Sequence, residues 1–176
     1  MNLVGDSPSE PDFTPLDERG RLRMVDVTEK PVTRRQARAS SRVETTLDRD
    51  TLATTVTPDV IINARLIGLQ TAKRTADIIP LCHPLALTKI EVTIDPLDQG
   101  FAITADVTCS GRTGVEMEAL SACGFAALAL IDALGARANA RLCDLVLESK
   151  RGGVSGEWGR EIPPPSPRES DRDDQA

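Results

Sequence analysis

Asp132 stands near the end of the most apolar stretch of the chain and is the only formally charged side chain between Glu118 and Arg137. A carboxylate in such surroundings is costly unless it finds a partner, and burial would raise its pKa towards the range useful for acid–base chemistry. It is a candidate proton-transfer group if the end of that stretch is covered, and a solvated surface group if a helix frays near Gly135. His83, in Leu81-Cys82-His83-Pro84-Leu85, lies in a loop pinned by Pro80 and Pro84. There backbone groups and an imidazole can face a ligand, donating to a phosphate or shuttling a proton near neutral pH. A lone histidine with a structural role is the competing reading. Glu116-Met117-Glu118 open the apolar stretch, where a helix dipole favours carboxylates whether or not they do anything else. Glu116 and Asp132 are sixteen residues apart, about 160° around one helix at roughly 100° per residue. A site using both would need help from elsewhere, such as a second subunit.

Lys73, Arg74, Arg65, Arg112 and Lys150 are the cations nominated for an anionic ligand, because arginine forks and lysine point charges are the usual phosphate partners. For each, a solvated surface position is the alternative. Lys150-Arg151-Gly152-Gly153 adds glycines that let backbone N–H groups approach an anion. Neither a GxGxxG fingerprint nor a P-loop is present.

The bulk of the chain narrows what such groups could serve. Its 176 residues, 40% hydrophobic, suit one compact domain with one site system. With 21 basic against 27 acidic residues the net charge is −6, which argues against a nucleic-acid surface or a polybasic membrane anchor. An anionic partner must therefore be small and locally held. Cys82, Cys109, Cys123 and Cys143 are isolated in sequence and His83 is the one histidine, so no metal site is expected. The N-terminus is polar and acidic without an apolar signal segment, which points to a reduced, cytoplasmic protein. The apolar run from Ala119 to Ile131 is short of the roughly 20 residues that span a bilayer, so it is expected as a core helix.

The elements that must position these groups are partly readable. Residues 1–22 and 157–176 mix Pro, Asp, Glu, Ser and Arg without periodicity and are expected as mobile tails around a single domain at 23–156. Met24-Val25-Asp26-Val27 is strand-like, whereas the basic, polar stretch Thr33 to Arg42 has no pattern that assigns it. From Asp59, Ile62, Leu66, Leu69, Ala72 and Ala76 recur at helical spacing, predicting an amphipathic helix that stops near Pro80. Lys89–Ile94 and Phe101–Thr108 alternate with period two around the turn residues 96–100, predicting a β-hairpin. A buried helix follows from Gly114 to about Leu134, and Arg141–Glu148 returns to strand character. Helix, hairpin, helix, strand suits an α+β architecture, an antiparallel sheet with helices packed on one face.

Several blocks, in order, resemble the MoaC family: Met24-Val25-Asp26-Val27, Ala72-Lys73-Arg74-Thr75, Ile79-Pro80-Leu81-Cys82-His83-Pro84-Leu85, and Arg112-Thr113-Gly114-Val115-Glu116-Met117-Glu118-Ala119-Leu120. The resemblance implies a ferredoxin-like subunit assembled as a hexamer, a trimer of dimers, with its active site at a dimer interface. It implies cyclic pyranopterin monophosphate synthase activity in molybdenum cofactor biosynthesis, on a small, anionic, nucleotide-derived substrate, with no metal or organic cofactor. Leu81, Cys82 and His83 match the family's substrate-binding loop, and Met117 with Glu118 match a second substrate-contacting pair beside Glu116. Asp132 matches the catalytic aspartate. Lys73, Arg74 and Lys150 match basic positions that hold the triphosphate or take part in catalysis, and Arg112 stands where the family often has lysine.

The chain departs from that pattern at three places. The lysine three residues after the aspartate is Gly135, the lysine of a Lys-Gly-Asp stretch is Thr57 in Thr57-Pro58-Asp59, and the cation after the final Gly-Gly is Val154. Two further readings therefore stand beside the synthase: a diverged enzyme acting on a related cyclised nucleotide, and a non-catalytic paralogue that completes a partner subunit's site.

Overall fold

A computed structural model describes residues 19–153 and 156–160. The chain runs β1 (Thr33–Glu44), α1 (Arg49–Thr55), α2 (Pro58–Lys73), α3 (Thr75–Ile78), β2 (Leu87–Leu97), β3 (Gly100–Gly111), α4 (Glu116–Leu134), a 3-10 turn (Ala136–Ala138), β4 (Arg141–Arg151) and β5 (Trp158–Gly159). The strands form one antiparallel sheet in the order β2-β3-β1-β4-β5. Four strands and two long helices in the sequence β1-α2-β2-β3-α4-β4, with β1 and β3 central, make the ferredoxin-like arrangement.

Alternation along β1 builds the core. Arg35, Ala37, Ala39, Ser41 and Val43 are buried on the helix-facing side, opposite Cys109, Val107, Ala105, Ile103 and Phe101 of β3. The other face is polar, with Arg38 3.3 Å from Asp106 and the Thr93 and Thr104 hydroxyls 2.5 Å apart. The sheet therefore carries its helices on one side. β1 was the stretch without an assignable pattern, because its inward positions are mostly Ala and Ser, whose small side chains give little hydrophobic contrast. The β2–β3 hairpin, α4 and β4 fall where expected. Met24–Val27, expected as a strand, runs without regular structure.

α4 lies across β1, β3 and β4 and packs against α2. It is long and apolar enough by composition to cross a membrane. Here Ala119, Ala122, Cys123, Ala126, Ala127 and Leu130 are instead buried against the sheet and α2. The α2 stripe differs from expectation in part: Ala72 is buried as expected, but Ile62 and Leu66 are 52% and 60% exposed, while Ala64, Gly68 and Thr71 are buried. Small residues let α2 approach α4 closely. At Gly68 a Cβ would meet the Ala122 carbonyl oxygen at 2.9 Å, so the large side chains are turned outward. The predicted single helix to Pro80 is broken at Arg74 into α2 and α3. α1 was not foreseen; Asp48 caps it by accepting from Thr51 N–H at 2.8 Å.

At the C-terminal end, Trp158 and Gly159 pair with Lys150 and Ser149, so part of the segment expected as a tail extends the sheet. Of the expected N-terminal tail, residues 1–18 lie outside the described residues, as do Val154 and 161–176.

Candidate functional site

Three chain segments meet where α4 begins. The Ile79–Leu85 loop leaves α3, Gly111–Val115 leads from β3 into α4, and the end of β4 passes alongside β1. Between them lies an open cleft of about 580 Å³. Leu81, Cys82, His83, Arg112, Glu116, Met117, Glu118 and Lys150, all nominated from the sequence, line it. Val25 and Val27 also line it, which gives the irregular segment after Arg23 a place in the site despite its lack of strand pairing.

Glu118 is the unusual group. It is 5% exposed at the first turn of α4, where Cys82 and Cys109 stand close enough to feel its charge. Desolvation, with a smaller contribution from the nearby Glu116 charge, pushes its carboxyl up to about 7, against a partial counter-effect from its own backbone N–H. A carboxyl poised there exchanges protons at neutral pH. Burial, reinforced by the Glu118 charge, raises the Cys82 thiol above its usual range, which keeps it protonated near neutrality. Lys150 pairs with Glu116 at 3.4 Å, so one cation is held on the α4 side of the cleft. Arg112 donates to the carbonyl oxygens of Val27 and Thr28 and ties the N-terminal segment to the cleft wall.

Other predicted residues lie elsewhere. Asp132 is exposed, in a separate shallow depression with Ile131, Gly135, Ala136, Asn139 and Ala140. Of the two readings, covered carboxyl or solvated group, the exposed position matches the second: Asp132 shares the outward face of α4 with the exposed Phe125 and Leu128, while Ile131 and Leu134 of the last turn still pack against the core. Gly135 ends the helix with φ 72° and ψ 172°, a conformation that favours glycine, and its N–H bonds to Ile131 and Asp132 carbonyls. Lys73 and Arg74 are exposed outside the cleft, Arg74 3.5 Å from Asp77. Arg65 donates through Nε to the Val92 carbonyl of β2 at 2.9 Å and does not line the cleft. Thr57 precedes α2 as an N-cap without a side-chain capping bond.

The sequence reading missed Lys30, Arg35, Gln36 and Arg151, which also line the cleft. Arg35 carried a signal: it has the inward parity of β1, where a charged residue stands out once the strand is recognised. Cys123 is deep in the core, its thiol pushed up to about 12 by burial and donating to the Ala39 carbonyl at 3.4 Å. All four cysteines are free. Among the described residues, no three His, Cys, Asp or Glu side chains cluster as a metal site would require.

A cleft rimmed by lysine and arginine, with one buried carboxyl at a helix start, gives this ferredoxin-like α+β domain groups that can hold a small anion and exchange protons. The MoaC family profile matches residues 24–153, and the chain belongs to the MoaC family. It is 47% identical over 153 residues to cyclic pyranopterin monophosphate synthase 1 of Mycobacterium tuberculosis, covering 84% of this chain and 90% of that protein. The cyclic pyranopterin monophosphate synthase of Streptomyces griseus is 46% identical over 155 residues, covering 86% and 88%. That of Thermomicrobium roseum is 47% identical over 156 residues, covering 85% and 94%.

Proposed function

We propose that this protein is a cyclic pyranopterin monophosphate synthase of molybdenum cofactor biosynthesis, a lyase. It converts 3′,8-cyclo-7,8-dihydroguanosine 5′-triphosphate to cyclic pyranopterin monophosphate with release of pyrophosphate. The observation that carries the reading is the convergence of Leu81, Cys82, His83, Met117 and Glu118 on one cationic cleft. Family membership and relatives named for this activity support it.

In this reading the loop Leu81–His83 and Met117 hold the purine-derived ring, while Lys150 and Arg112 balance phosphate charge. Glu118 gives and takes protons at the ring, its buried carboxyl matched to neutral pH. Asp132 supplies the second acid–base group from a neighbouring subunit, because its own subunit places it at the far end of α4. The working form is accordingly a homo-oligomer, a hexamer built as a trimer of dimers, acting in the cytoplasm. Lys73 and Arg74, also outside the cleft of their own subunit, serve the triphosphate across the same junction. Thr57 and Gly135 stand where the family carries lysines and Val154 where it carries a cation, so the proton traffic here rests on Glu118, Asp132, His83 and Lys150.

The test is to incubate the purified protein with enzymatically made cyclised nucleotide and follow pyranopterin and pyrophosphate by mass spectrometry. Stoichiometric product with multiple turnovers is the expected result. Binding without product would overturn the synthase reading in favour of a diverged or partner-subunit role.

A further inference from the structure

Arg35 is the one cation of the cleft that is buried, at 7% exposure. It projects from the inward face of β1, the central strand, opposite Cys109 of β3. Its Nε donates to the Gly111 carbonyl at 3.4 Å and its Nη2 to the Arg112 carbonyl at 3.2 Å. A guanidinium has five N–H groups, and these two bonds occupy one edge of the fork. The edge formed by Nη1 and the second Nη2 hydrogen remains. Of the other cations of the cleft, Lys150 is 3.4 Å from Glu116 and Arg151 3.8 Å from Glu157, while Lys30 and Arg112 are exposed to water. Among the described residues no carboxylate pairs with Arg35. Carbonyl dipoles orient a guanidinium but do not neutralise it, and a buried charge calls for an opposite one.

A second observation comes from the end of β4. At Gly153, with φ +86°, a Cβ would overlap Nη1 of Arg35 and crowd the guanidinium carbon. At Gly152, with φ +93°, it would overlap the Arg34 carbonyl oxygen. The Gly-Gly pair, read from sequence as a place for backbone N–H groups to meet an anion, therefore does a different job at its second position. It leaves space for the Arg35 side chain.

We propose that Arg35 grips a phosphoryl group of the substrate through the Nη1/Nη2 edge of its guanidinium, and that Gly153 is required because it makes room for that side chain. The substrate class rests on the synthase reading above; the demand for an anion at Arg35 comes from the geometry of this chain alone. Arg35 is a binding residue on this view, and Gly153 a positioning residue that acts through it. A planar fork held from behind by two carbonyls is preorganised for bidentate phosphate recognition, which a lysine at the same position cannot reproduce.

Inorganic tripolyphosphate, titrated calorimetrically into the full chain, reports on the anion site without chemistry. The full chain is expected to bind it, Arg35→Gln to bind it about 10- to 100-fold more weakly, and Arg35→Lys to fall between. Gly153→Ala, which keeps the arginine but displaces it, is expected to weaken binding about 10-fold, and adding it to Arg35→Gln to cost nothing further. With the cyclised nucleotide as substrate, KM should rise by similar factors while kcat changes by less than about threefold. Unchanged tripolyphosphate affinity in Arg35→Gln overturns the proposal, as does a wild-type chain that does not bind tripolyphosphate. Should Arg35→Gln fail to fold, unchanged affinity in both Arg35→Lys and Gly153→Ala overturns it. Arg35-dependent tripolyphosphate binding without turnover would sink the synthase reading and leave this one standing. Turnover with Arg35-independent binding would do the reverse.

Discussion

The two ends of α4 carry carboxylates that differ in almost every physical respect. Glu118 and Asp132 are fourteen residues apart, about 21 Å along the axis, yet only about 40° apart around it. Azimuth therefore does not explain why Glu118 is buried and Asp132 exposed. The surroundings do. At the N-terminal end the Ile79–Leu85 loop and the end of β3 close over the first turn, and desolvation lifts Glu118 to about 7. At the C-terminal end Ile131 and Leu134 still pack against the core, but Asp132 stays exposed in a depression rimmed by Gly135, Ala136, Asn139 and Ala140. Helix phase sets the direction of a side chain, and neighbouring loops set its dielectric. One chain thus holds a poised carboxyl at one end of a helix and a solvated one at the other, too far apart to touch one small molecule.

The sharpest way to break this contrast is Asp132→Asn. If Asp132 completes a site across a subunit junction, the variant should lose about 100- to 10,000-fold in product formation while its mass by light scattering is unchanged. Full activity would show that the exposed end of α4 plays no part and that the cleft of one subunit suffices.

Glu118→Gln tests the other end through stability as well as rate. The Glu118 carboxyl is raised from 4.5 to about 7, so the folded protein binds a proton more tightly than the unfolded chain does. Its favourable contribution is fully present below about pH 4.5 and is lost as pH rises through 7, where folding must bury a charge. Compared with the glutamine variant, wild type should therefore lose on the order of 2–3 kcal/mol between pH 4.5 and 8. Thermal melts of both proteins across that range check it. Parallel curves would mean that Glu118 is not desolvated in solution.

How much of this contrast could be read in advance follows from the same physics. The β2–β3 hairpin, α4 and β4 were legible because their alternation or apolarity is strong. β1 was not, since Ala37, Ala39 and Ser41 are too small to mark an inward face, and with it went Arg35. His83 and the carboxylates Glu116 and Glu118 stood out by type and Leu81, Cys82 and Met117 through the MoaC resemblance, but their convergence needed the fold. For Asp132 composition left a buried and a solvated reading open, because apolar neighbours in sequence do not fix which face of the helix the side chain takes. Ile62 and Leu66 failed for the related reason that a close α2–α4 contact selects Gly and Ala, turning larger side chains outward.

That close contact seats α4 against α2, and Gly68→Ala probes it. The added Cβ would meet the Ala122 carbonyl oxygen at 2.9 Å and Ala126 Cβ at 3.3 Å, so α2 must move away. A loss of about 1–3 kcal/mol in urea denaturation is expected. Activity should fall further than Glu118→Gln alone would explain if both ends need the helix in place. An unchanged stability would mean that α2 rides on α4 loosely and that α4 is held by the sheet alone.

The smallest effect distinguishes cations at the cleft from those outside it. Lys150 is partly buried beside Glu116, whereas Lys73 is exposed and outside the cleft. Lys150→Gln should weaken tripolyphosphate binding about 10-fold at low salt, the scale of a charge-assisted hydrogen bond in a partly screened site. Lys73→Gln should change it less than about twofold in dilute protein, where exposed charges are screened. If subunits share the site, the Lys73 effect should grow towards that of Lys150 as protein concentration is raised through the assembly range, while the Lys150 effect stays constant. A Lys73 effect that never depends on concentration would place that lysine on a surface with no part in anion binding, leaving Lys150, Arg112 and Arg35 to hold the phosphate charge within one subunit.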